Sequence, residues 1–74
     1  MINRFREAVR VQDDGVSLFS VVKSCYVEGI ASTEVYEVLS ELRRECQAAH
    51  DERSEEVVAD VMDYVWHHTN PKSQ

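Results

Sequence analysis

The sequence predicts an all-α fold, a small compact bundle of three to four short antiparallel helices, and three observations carry that prediction. Only Gly15, Gly29 and Pro71 punctuate the 74 residues, whereas a β-rich or loop-rich domain of this size needs more turn residues. Apolar residues recur at i, i+3, i+4 and i+7, the period of helices with one buried side. A chain this short has room for one thin core, so residues 1–74 are expected to form a single helical domain, with 70–74 as a flexible polar tail.

The first helix is expected over Asn3–Val11, which brings Ile2, Phe5 and Val9 to one side; Gln12, Asp13, Asp14 and Gly15 then end it. Ser17 is the expected N-cap of the second helix, which groups Leu18, Val21, Val22 and Cys25, with Tyr26 at the edge. Gly29 supplies its left-handed stop, and Ile30 the apolar contact that accompanies one. Ser32 is expected to cap the third helix, with Glu34 opposing the positive end of its dipole. The buried stripe there is Val35, Val38, Leu39, Leu42, Cys46 and Ala49, and the solvated side is Glu37, Glu41 and Arg44. Neither glycine nor proline separates the third helix from the fourth. Two helices are nevertheless expected, because Asp51 and Ser54 are cap candidates, Glu55 and Glu56 suit a first turn, and a bundle requires reversal here. The fourth helix runs to about His68, before Pro71.

Fourteen acidic against eight basic residues give a formal net charge of −6, a balance that repels a phosphate backbone and argues against nucleic acid as partner. No segment approaches the ~20 apolar residues that cross a bilayer, so no membrane contact is expected. Cys25 and Cys46 are too few for a disulfide framework and read as reduced thiols of a cytoplasmic protein. The expectation is a non-enzyme without cofactor: the thin core leaves little from which to carve a cavity, and no serine, cysteine or glycine-rich loop is framed for nucleophilic or phosphate chemistry. Cys46 with His50, and Asp63 with His67, stand at i, i+4, but each pair is half a metal site and no metal centre is assigned. Val21 to Leu42 has the spacing of a helix-turn-helix, a less favoured alternative because Glu34, Glu37 and Glu41 would face DNA phosphates.

The candidate site is on the fourth helix. At about 100° per residue, Val58, Val61, Met62 and Val65 share one face, while Glu56, Asp60, Asp63 and His67 form a stripe on the other, with Glu52 upstream. Tyr64 and Trp66 border that stripe on its two sides. The first dozen residues have the opposite sense, with Arg4, Arg6 and Arg10 against Glu7. One reading is that the stripe docks on a basic protein surface such as a nuclease site, charge steering the encounter and aromatics anchoring it. The other is an ordinary solvated face, with Tyr64 and Trp66 sealing the core margins of a structural domain. That domain would then be a homo-oligomer or homodimer, with Phe19, Val27 and Tyr36 as its candidate patch.

In size, helix count and acidity the chain resembles the bacterial immunity proteins of the colicin-nuclease class, compact acidic four-helix inhibitors of basic toxins. The resemblance is one of composition, since no recognition-helix motif of that family matches these residues. It implies a non-catalytic immunity or antitoxin-type inhibitor. The charge pattern assigns the partner-binding role to Glu52, Glu56, Asp60, Asp63, Tyr64, Trp66 and His67.

Overall fold

Each expected helix forms, and the chain reverses between them by devices that are only partly those anticipated. The computed structural model describes residues 1–69, so the tail assigned to 70–74 lies outside the described residues. The elements are α1 (Ile2–Arg10), α2 (Val16–Val27), α3 (Ser32–Ala48) and α4 (Glu52–Thr69), with no strand among the described residues. The result is an all-α bundle.

The α2–α3 turn follows from Gly29. At φ 86° its amide donates to the Tyr26 carbonyl at 3.1 Å, and the Ile30 amide donates to the Cys25 carbonyl at 3.0 Å. This pair of bonds satisfies the last carbonyls of α2, and Ile30 packs on the core as the motif requires. The α3–α4 reversal repeats the device without glycine. His50 takes the left-handed conformation at φ 56°, its amide donating to the Gln47 carbonyl at 3.1 Å and that of Asp51 to Cys46 at 2.9 Å. Asp51 then caps α4, its Oδ1 accepting from the Ser54 amide at 3.2 Å, while Ser54 is buried in the first turn and does not act as the cap.

Two expected caps are corrected. The position before α2 is Gly15, at φ 87°, and Ser17 lies inside the first turn, where its amide and its hydroxyl both donate to the Asp13 carboxylate, the hydroxyl at 2.6 Å. An upstream carboxylate takes the exposed amide more strongly than a hydroxyl does, because the bond is charge-assisted and aligned with the helix dipole. At α3 the cap position is Ala31, which makes no side-chain bond, and Ser32 is the first helical residue. Ala49 falls outside α3 and is exposed, against its expected place in the buried stripe, because the helix ends at Ala48.

α3 and α4 pack along each other as an antiparallel hairpin, and α1 and α2 close the remaining sides. Phe5 enters from α1, Leu18 and Val22 from α2, Val35 and Leu39 from α3, and Val58, Val61 and Val65 from α4, all with no exposed surface. The Cα radius of gyration, 11.6 Å, is close to the ~11 Å expected for a globule of this length. Cys25 and Cys46 are free and buried in this core, and burial pushes both thiols up, which keeps them protonated and unreactive. No helix among the described residues is long and apolar enough to cross a membrane.

Three carboxyls sit below their ordinary values: Asp13 through its bonds from Ser17, Glu45 through its bond from Arg6, and Asp51 through its bonds from Ser54. Groups depressed by folding stabilise above their unfolded pKa and lose that contribution as the pH falls through the folded value. The melting temperature is therefore expected to rise with pH below about 4 to 5 and then level off. Thermal melts from acid to neutral pH check this, with Asp13→Asn flattening the acid limb; an unchanged limb in that variant would contradict the assignment.

Candidate functional site

α4 is built to present one side to solvent. Asp51 caps its start and Glu52 and Glu55 stand in the first turn, placed to suit the helix dipole, while His67 and His68 stand in the last turn. The helix continues without a break from Glu52 to Thr69, so Val58, Val61 and Val65 face inward together and Met62 is 8% exposed. On the outer side Glu52, Glu56, Asp60, Asp63 and His67 are all exposed, within an arc of about 80°.

The charges on this side are largely unanswered. Glu52, Glu56 and Asp60 make no ion pair among the described residues, and Asp63 meets His67, Oδ1 to Nε2, at 3.6 Å. Glu55 belongs elsewhere: it accepts from Gln47 at 2.7 Å and from Arg43 at 3.4 Å, tying α4 to α3. The arginines of α1, which could have screened α4, are engaged away from it. Arg6 holds Glu45 of α3 through two bonds, at 2.6 and 2.9 Å, Arg4 meets Glu28 at 3.2 Å, and Arg10 meets Glu7 at 3.5 Å. The Arg4 and Arg6 pairs span 24 and 39 residues, so no local pattern could have revealed them, whereas Arg10–Glu7 is an ordinary i, i+3 pair. Among the described residues two cations stand near the stripe: Arg53, in a shallow cleft with Asp14, Glu56, Val57 and Asp60, and Arg43, which lines a groove with Asp63.

The bordering aromatics are each backed by another ring. Tyr64 meets Phe19 of α2 edge-on, with centroids 5.3 Å apart at 77°, and Trp66 meets Tyr36 of α3 at 6.2 Å and 53°. Tyr64 and Trp66 remain 39% and 49% exposed, so they seal the margins and still offer surface. Backing by a second ring holds each in one orientation, which lowers the entropy lost on binding. The two project about 160° apart around α4. A flat partner seated on the stripe therefore reaches both only at their edges, whereas a grooved one reaches them fully. Phe19 and Tyr36 lie under different rings on opposite sides of α4, so with Val27 they do not make the single patch anticipated for self-association.

All seven residues assigned from the sequence are thus exposed on one helix. A feature outside that assignment is His68, stacked on Tyr26 with centroids 4.5 Å apart at 18°, above a Tyr26 hydroxyl that is buried with no hydrogen-bond partner among the described residues. Burial pushes that phenol up. The Cys46–His50 pairing dissolves, because Cys46 is in the core and His50 lies past the helix end. Among the described residues no group of three or more His, Cys, Asp or Glu side chains is arranged to hold a metal ion. Comparison of the chain with protein-family models, with curated proteins and with solved structures gives no match in any of the three.

Proposed function

We propose that the protein is a non-catalytic binding module that docks a basic partner protein on the outer side of α4, as an inhibitor of the immunity or antitoxin type acting in the cytoplasm. The supporting observation is the distribution of ion pairs: the arginines of α1 are spent on Glu7, Glu28 and Glu45, and Glu52, Glu56 and Asp60 make no ion pair among the described residues, beside exposed Tyr64 and Trp66. Uncompensated charge of one sign on one side steers encounter with the opposite sign, and partly exposed, pre-oriented aromatics suit the centre of an interface. Free, buried Cys25 and Cys46 agree with a reducing compartment, and the net charge of −6 opposes nucleic acid.

The test begins with affinity capture of the partner and its identification, a basic domain encoded beside this gene being the first candidate. Asp60→Lys combined with Asp63→Lys is then expected to slow association about tenfold or more at low salt and to flatten its salt dependence, since steering sets the on-rate. Both substitutions are at exposed positions, and circular dichroism will confirm that the variant is folded. Unchanged association in the folded double variant would remove the stripe from the interface.

A second reading has its own observation. On α2, Val16 and Val27 are 67% and 88% exposed and share one side with Ser20 and Lys23, an outer surface with a single charge. A homo-oligomer joined there would enlarge a small core. Sedimentation at micromolar concentration separates the two, a stable dimer with no captured partner favouring the second.

A further inference from the structure

The groove between α3 and α4 differs from the rest of the acidic side. Trp66 and Tyr36 form an aromatic wall, Ala59 and the nearly buried Met62 line the floor, and Arg43 and Asp63 stand on the rim. The two rim charges are not equivalent. Arg43 lies 3.4 Å from Glu55, so its charge is answered within the α3–α4 pairing. Asp63, with 74% of its side chain exposed, meets only His67 at 3.6 Å and has no lysine or arginine partner among the described residues. Arg43 and Asp63 are the two charged side chains that line the groove, and with Arg43 held by Glu55 the Asp63 carboxylate is the one open to an incoming cation.

Few side chains satisfy all three elements together. An anion is repelled by Asp63 and by the overall charge. An aliphatic side chain would cover the floor and desolvate the Asp63 carboxylate without pairing it. A lysine pairs with the carboxylate as a point charge but has no plane to lay on an indole. An arginine has a methylene stem for Met62 and Ala59, a flat guanidinium for Trp66, and fork-like donors for the carboxylate.

We propose that this groove is an arginine subsite, which takes one arginine side chain of the basic partner between the Trp66 wall and the Asp63 carboxylate. It rests on the reading that α4 docks a basic protein, and it names the residue type that the partner inserts. The neighbouring stripe of Glu52, Glu56 and Asp60 steers the partner; the groove selects among its basic side chains.

Trp66 is the sole tryptophan, so its fluorescence reports on the groove directly. The probes are a hexa-arginine and a hexa-lysine peptide, titrated into the full chain. Hexa-arginine is expected to change Trp66 emission saturably and to bind severalfold tighter than hexa-lysine, because an ammonium also gains cation–π attraction but can neither stack flat on the indole nor fork onto the carboxylate. Asp63→Asn, an exposed substitution, should weaken hexa-arginine binding severalfold, and Trp66→Leu, followed by calorimetry, should abolish the preference for arginine over lysine. Glu7→Gln on α1 removes the same charge and should leave that preference intact.

Equal affinity for the two peptides, or an arginine preference unchanged in Asp63→Asn and Trp66→Leu, overturns the subsite. So does the absence of binding by either peptide. If both peptides bind equally and both are lost in Asp60→Lys with Asp63→Lys, the acidic docking surface stands and the arginine subsite alone fails.

Discussion

Replacing Phe5 with alanine is expected to remove about half of the protein's stability. Phe5 has no exposed surface, and it and Ala8 are the only buried residues of α1, so one large side chain anchors that helix to the other three. Removing it costs about 3–5 kcal/mol through lost transfer energy and the cavity left behind. A domain of this size holds only about 4–11 kcal/mol in total. Release of α1 also separates Arg6 from Glu45 and Arg4 from Glu28, which adds to the loss. Urea denaturation followed by circular dichroism should show the midpoint lowered by about half for Phe5→Ala, whereas Phe5→Leu should retain most of the stability. A cost for Phe5→Ala under about 1 kcal/mol would mean that α1 is not held by this contact.

The second large effect is expected at Gly15. Its φ of 87° is a conformation that L side chains rarely adopt, and a Cβ there would lie 3.2 Å from Val57 Cγ1 on α4. Gly29 has nearly the same φ, 86°, yet a Cβ there would meet nothing within 4 Å. Gly29→Ala should therefore cost about 1–2 kcal/mol, the backbone strain alone. Gly15→Ala should cost about 2–3 kcal/mol, because the half-buried, β-branched Val57 must also move. Equal costs in parallel thermal melts would show that Val57 yields freely and that the α1–α2 turn is not seated tightly on α4. The contrast matters for the site, since Val57 lies in the same helix as the acidic stripe, on the cleft shared by Asp14, Arg53, Glu56 and Asp60.

Much of this architecture is legible in local pattern, and the places where it is not have identifiable causes. Gly29 followed by Ile30 marks the end of α2 because a left-handed residue is cheapest at glycine and the next apolar side chain is drawn onto the core. His50 performs the same role at the end of α3 and carries no such mark, since a histidine at φ 56° is held there by the carbonyls of Gln47 and Cys46 and by the packing of α4 on α3. Asp51 is recognisable as a cap. Asp13 is harder to recognise, because it lies four residues before the amide it accepts from and the intervening turn is set by Asp14 and Gly15, both left-handed.

The candidate site divides in the same way. The two-sided pattern of α4 depends only on residues three and four apart, so the exposure of Glu52, Glu56, Asp60 and Asp63 and the burial of Val58, Val61 and Val65 could be read one helix at a time. Whether those carboxylates would meet an arginine partner could not. That depends on where Arg4, Arg6 and Arg43 reach, and the chain brings Arg6 to Glu45 across 39 positions. The backing of Tyr64 by Phe19 and of Trp66 by Tyr36 likewise arises from helices that meet only in the folded bundle.

Taken alone, the amino-acid order determined that this chain is helical, where its helices lie to within a few residues, and which side of α4 meets water. Those properties come from periodicity and capping, which act over a single turn or two. The packed bundle alone decided which charges are answered and how the aromatics are propped, along with the groove that opens between α3 and α4. Such features depend on distances between side chains far apart in the chain, and short-range pattern carries no information about those.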